Sequence, residues 1–220
     1  MARRFFRSWV VLSAALGIGA CDGPQTMEQV KVTMQQTDAA LTQSLSGWSA
    51  RIAGSEGSAA AISKDTVSTL VVRITRIEFL PKEEEAREAD PGAWIALDLT
   101  QPVIVDLMAL PTEGSSPLVI ASGTVPVGNY GDVRLFTDSA AIRFKGPIEL
   151  GVAFKFEGNT TYQVTIPSVE QTGIKTDAEF TVEAETDVNL LFSPTATFLN
   201  VTGTGTGQVI LAPVIRSRPQ

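Results

Sequence analysis

Apolar and polar residues alternate with a period of two along most of this chain. Val30, Val32 and Met34 alternate with Lys31, Thr33 and Gln35, the spacing of a strand that buries one face. Residues 67–80, V-S-T-L-V-V-R-I-T-R-I-E-F-L, make the longest such run, rich in β-branched residues with Arg73, Thr75 and Glu78 interspersed, and Pro81 closes it. Ile95, Leu97 and Leu99 face one way; Trp94, Ala96 and Asp98 face the other. Residues 103–110 form a further apolar segment. Its Asp106 is expected at a strand end or bonded to backbone, because an unpaired buried carboxylate is costly. Residues 124–136, T-V-P-V-G-N-Y-G-D-V-R-L-F, read as one strand turning into another at Gly128-Asn129, a hairpin at the centre of the chain that continues through 140–144. Strands at 148–156 and 161–166 flank a hairpin turn at 157–160. Phe180, Val182 and Ala184 then alternate with Glu179, Thr181, Glu183 and Glu185, and 188–192 follows as a buried run. No helical period interrupts the series. The pattern predicts an all-β antiparallel β-sandwich over residues 29–216. One long loop falls at about 40–66, rich in Ser, Ala and Gly with Trp48 as its large anchor, and residues 217–220 form a tail.

Three stretches invite chemistry and are read more plainly. The Gly-Thr repeat at 202–207 suggests a phosphate cradle, but such cradles need a helix directly after the glycines, and here a strand at 208–215 follows. It reads as a hairpin turn. The acidic run at 82–91 lacks the spaced ligands and Gly turn of a calcium loop and reads as a solvated hairpin loop. Glu183 and Glu185 share one side of a strand, the wet side of a sandwich.

The 220 residues are 44% hydrophobic and 19% charged, enough to bury a core. With one cysteine and no histidine, no disulfide within the monomer, no Ser-His-Asp or Cys-His arrangement and no histidine metal site can be built. Only a carboxylate pair or a Ser-Lys dyad is left for catalysis. No catalytic residue, metal or cofactor is assigned. The net charge of −7 argues against nucleic acid as a partner.

Residues 1–20 have the layout of a secretory signal peptide: Arg3, Arg4 and Arg7, an apolar run at 9–18, then Gly19 and Ala20. The run falls short of the roughly 20 apolar residues that span a bilayer, and Asp22, Gly23 and Pro24 end it. Ile18-Gly19-Ala20-Cys21 resembles the lipobox of bacterial lipoproteins. That resemblance implies diacylglycerol transfer to the Cys21 thiol, cleavage before it and acylation of the new amino terminus. Residues 21–28 would then be a lipidated cysteine and tether. The expected location is outside the cytoplasm, lipid-anchored to a bacterial cell membrane on its periplasmic or cell-surface side.

Thr37-Asp38-Ala39, 72–79, Trp94-Ile95-Ala96-Leu97, Val105-Asp106-Leu107-Met108-Ala109-Leu110, Val125-Pro126-Val127-Gly128-Asn129-Tyr130 and Arg134-Leu135 follow one another along the chain. Ile166-Pro167-Ser168, Thr172-Gly173-Ile174-Lys175, 180–184 and 211–216 continue the pattern. This order of motifs is similar to that of the bacterial family called domain of unknown function 4382. The resemblance implies an immunoglobulin-like or transthyretin-like sandwich and no established activity. The expected function is a non-catalytic module that binds a protein or polysaccharide partner in the cell envelope, with Trp48 and Trp94 as candidate ligand contacts. A structural spacer and a carboxylate-based hydrolase are the alternatives.

Overall fold

The computed structural model describes residues 25–37, 60–97, 99–150, 154–167, 169–194, 197–202 and 208–217. The first strands are β1 (Met27–Gln36), the two-residue β2 (Ala60–Ala61) and the long β3 (Val67–Pro81). Two short 3-10 turns, Lys82–Arg87 and Pro91–Ala93, lead to β4 (Ile95–Leu97) and β5 (Val103–Asp106). Next come β6 (Leu118–Pro126), β7 (Gly128–Phe144), β8 (Ile148–Leu150), β9 (Phe154–Phe156) and β10 (Thr161–Thr165). A single helical turn, α1 (Val169–Thr172), precedes β11 (Ile174–Val182), β12 (Thr186–Phe192), β13 (Phe198–Thr202), β14 (Gln208–Ala212) and β15 (Ile215–Ser217).

Two sheets face each other. The smaller runs β15-β12-β1-β6; the larger runs β2-β13-β14-β10-β7-β3-β4, with β11 on β7 and β5 on β3. The two longest strands pair antiparallel from Val67↔Phe144 to Pro81↔Tyr130. The other edge of β7 is shared between β11, along 128–135, and β10, along 140–143. Alternate residues fill the space between the sheets: Val30, Val32, Met34, Val188, Leu190 and Phe192 from one, Leu70, Ile74, Phe79, Leu135, Ile142 and Val209 from the other, in one continuous core. Asp106 ends β5 and accepts from the backbone N–H groups of Leu70 and Met108, each at 3.0 Å, as its position suggested.

The all-β sandwich follows the pattern of the sequence, with four differences in wiring. The strand expected at 208–215 breaks at Pro213-Val214: β14 stays in the large sheet and β15 crosses to pair with β12 in the small one. Two ladders are parallel, β1 with β12 and β10 with β14; alternation fixes which face is buried but not strand direction. The expected hairpin at Gly128-Asn129 is a corner. β6 pairs with β1 in the small sheet and β7 starts in the large one, so the chain changes sheets at Val127. The strand expected at 148–156 is itself a hairpin, β8 with β9. The turn at 157–160, with Asn159 at φ 61°, therefore links that hairpin to β10 of the large sheet. The repeat at 202–207 does join paired strands, Thr202 opposite Gln208.

The corner is held by Tyr130. Its ring stacks on Phe180 at 5.1 Å and meets the edge of Phe79 at 6.0 Å, while its hydroxyl donates to the Pro126 carbonyl at 2.7 Å, four residues back. Val127 N–H donates to Thr26 at 2.8 Å and ties the corner to the start of β1. Burial, with Glu83 adding a smaller push, raises the Tyr130 phenol to about 12. Folding thus favours the neutral phenol: its contribution is complete below pH 10 and lost as the pH climbs towards 12. We expect Tyr130→Phe to cost about 1 kcal/mol at pH 8, the net value of one hydrogen bond. Between pH 10 and 12 the native protein should lose a further 2–3 kcal/mol, roughly, that the variant keeps. Urea unfolding at pH 8 and pH 11.5 should therefore show the order of stability reversing.

Candidate functional site

The outer face of the β3–β7 pair carries a cluster of charged residues, several of them buried. Because successive side chains alternate, Ile77 and Phe79 enter the core and Arg76, Glu78 and Leu80 turn outward. Across the ladder, Arg76 stands opposite Phe136, Glu78 opposite Arg134 and Leu80 opposite Asp132. Lys175 of β11 stands beside Arg134 on its other flank. The connection at 82–94 folds back over this face, so that residues 130–137 of β7 are buried on both sides. Leu80, Ala93 and Trp94 make a second, small apolar cluster there. A Cβ on Gly131 would come within 2.4 Å of Glu85 Oε1, so the Glu85 side chain of the connection lies directly over this glycine.

Glu78 is the centre of the network. Its Oε2 accepts from Arg134 Nε at 2.5 Å, and its Oε1 lies 2.8 Å from Arg76 Nε. The Arg134 guanidinium lies 3.9 Å from the Trp94 ring centre and 5.1 Å from that of Phe136, while Arg76 lies 3.9 Å from Phe136. Guanidinium groups stack on aromatic faces in this way because they are planar and weakly hydrated. Trp94 also donates Nε1–H to the Glu88 carbonyl at 2.9 Å. Lys175 lies 2.9 Å from Glu88 and 3.1 Å from Asp132. Burial pushes the Asp132 carboxyl up, and Lys175 pulls it part of the way back. Burial alone would lower Lys175; its bonds to Glu88 and Asp132 outweigh that and hold it above the usual lysine range.

In front of the network opens a cleft of about 680 Å³, lined by Arg76, Glu85, Glu88, Trp94, Arg134, Phe136 and Lys175 among others. Glu78, Glu88 and Asp132 are each tied to a cation. The arrangement is suited to holding a ligand by directed N–H groups. A smaller cleft of about 230 Å³ lies at the corner, between Gln25, Pro81, Glu83, Gly92 and 126–130.

Of the residues marked in the sequence, Trp94 lines the larger cleft, with one ring face under Arg134 and only 8% of its surface exposed. Cys21, Trp48 and the leader at 1–20 lie outside the described residues. Glu183 and Glu185 sit in the bend after β11 rather than on a strand, and Glu185 pairs with Lys31 at 3.3 Å. The strand pattern singled out neither Arg76 with Glu78 nor Phe136 as a group with Arg134. The signal was there: charged residues at alternate positions of the two longest strands, which the neighbours of a central strand leave little room to solvate.

A two-sheet β module with a preorganised arginine–glutamate cleft on its larger sheet is the class that these features define. Within it, the chain belongs to the family described as Domain of unknown function (DUF4382), whose model matches residues 14–213. No curated protein and no solved structure matches the chain.

Removing Arg134 leaves Glu78 buried with half of its partners. Arg134→Met should cost about 3–5 kcal/mol, the range for breaking a buried pair from one side. Glu78→Leu with Arg134→Met should recover most of it, because Arg76 is half exposed and can turn to solvent. A double-mutant cycle by urea unfolding checks both values.

Proposed function

We propose that this protein is an exported lipoprotein held to a bacterial membrane through Cys21, and that its β-sandwich is a non-catalytic module that binds a protein partner in the cell envelope. The observation that carries the binding reading is the cleft over Glu78: lined by cations on aromatic planes and open in front. Glu78, Glu88 and Asp132 are engaged in ion pairs, the opposite of the free carboxylate pair that a glycosidase-type hydrolase would need. Protein is favoured over polysaccharide because sugar rings stack on open aromatic faces, and the Trp94 and Phe136 rings already carry guanidinium groups.

The anchor reading rests on the leader and on Cys21 falling at its end. No helix among the described residues is long and apolar enough to cross a membrane. Each buried methylene adds about 0.8 kcal/mol, so two or three acyl chains would give lasting attachment. Only three residues separate Cys21 from Gln25, so the four residue steps between them reach about 14 Å at full extension. Anchored in this way, the domain would hold the Tyr130 corner and the 82–94 connection next to the lipid, with its other end outward.

Cys21→Ala should move the protein from the membrane fraction to the soluble exported fraction, read by fractionation and by loss of lipid mass on the intact protein. Immobilised residues 22–220 should retain a saturable protein from envelope extract. Retention of nothing above a denatured control would favour the spacer, and retention of a polysaccharide alone would replace the protein partner by a sugar.

A further inference from the structure

The donors of the two arginines are unequally used. A guanidinium carries five N–H donors in a rigid fork. Arg76 and Arg134 each spend Nε on Glu78, and their four Nη nitrogens have no acceptor among the described residues. Arg134 is only 9% exposed, yet its Nη nitrogens are not among the fully buried atoms left without a partner, so they face the open cleft, where the oxygens of a ligand could replace water. The stacking on Trp94 and Phe136 fixes the planes of both groups, so a ligand would not have to order them. One carboxylate between two guanidiniums also leaves this end of the cleft positive. The far end is the reverse, with Lys175 outnumbered by Glu88 and Asp132 and with Glu85 on the rim.

Resting on the binding reading above, we propose that Arg76 and Arg134 form a carboxylate-binding fork that takes a single Asp or Glu side chain of the protein partner, flanked on the partner by basic residues. The fork supplies paired N–H groups to the two carboxylate oxygens, the geometry in which guanidinium and carboxylate bind most strongly. The acidic connection, with Glu83, Glu84, Glu85, Glu88 and Asp90, selects against a long acidic run and favours cationic neighbours. Trp94 acts here as a positioning residue that holds Arg134 in plane, which accounts for its place in the cleft without an exposed ring face.

The test uses the native protein and a fluorescent peptide Lys-Gly-Glu-Gly-Lys, its Gln counterpart and an oligogalacturonate. Binding is followed by anisotropy, and the Arg134 side-chain Nε–H resonance by NMR. The Glu peptide should bind saturably and shift that resonance, with the Gln peptide about tenfold weaker or worse, the value of a charge-assisted pair. Arg76→Gln should erase the difference between the two peptides while lowering the melting temperature less than Arg134→Met does, because the Gln amide can still donate to Glu78 and position 76 is half exposed. Arg76→Lys, which keeps the charge but not the fork, should restore it only in part. Equal binding of the two peptides, no binding of either, discrimination unchanged in Arg76→Gln, or binding of the uronate alone would each overturn the fork. An envelope partner captured equally well by Arg76→Gln bait would leave the binding module standing and remove the fork. Glu-over-Gln discrimination with no envelope partner would do the opposite.

Discussion

The antiparallel pairing of β3 with β7 is the constraint on which the rest of the structure depends. It runs the length of β3 and all but the first two residues of β7, from Val67↔Phe144 to Pro81↔Tyr130. Every other strand of the large sheet is placed directly or through a neighbour by one of these two. Their inner faces supply Leu70, Ile74, Phe79, Leu135 and Ile142 to the core. The same register, read on the outer face, sets Glu78 against Arg134 and Arg76 against Phe136. Core and cleft are thus two sides of one ladder. A slip of one residue would turn Arg134 inward and Leu135 outward, and both would fail together.

The buried Arg134–Glu78 pair is weak evidence of added stability, because two ions lose their water for each other and hydrophobic residues of similar size would often do as well. What the pair does provide is direction. With Nε bonded to Glu78 and its centre 3.9 Å over the Trp94 ring, the guanidinium is oriented by contacts within the fold itself. The 82–94 connection contributes Trp94 and the Glu88 carbonyl that accepts from it, so a loop that reads as mere solvated acid becomes one wall of the cleft.

Much of the fold was legible. The strand at 67–80, the role of Asp106 and the pairing across the Gly-Thr repeat followed from alternation and turn chemistry alone, whereas the run at 208–215 hid a change of sheet after Ala212. The corner at Val127 was not, because Gly and Asn allow a chain to reverse within one sheet or to step to the other, and what decides is Tyr130 reaching back to Pro126. Parallel pairing of β1 with β12 leaves no mark on either strand. The cleft was hidden for a similar reason. Glu78 and Arg134 are far apart in sequence, each looks like the polar half of an alternating strand, and only their register makes them a pair.

The pairing of the first strand with one near the end also sets the order in which the molecule can assemble. Along β1, Val30 meets Gly123 on one side and Thr186 on the other. A chain delivered from its amino terminus can therefore form the β1–β6 and β3–β7 ladders while β12 is still to come. Until then one edge of β1 stays unpaired. Contacts so distant in sequence make for slow folding and expose strand edges in the interval. The native state becomes reachable only when the whole domain has arrived, so a chain cut short before β12 would present an open sheet edge to its neighbours.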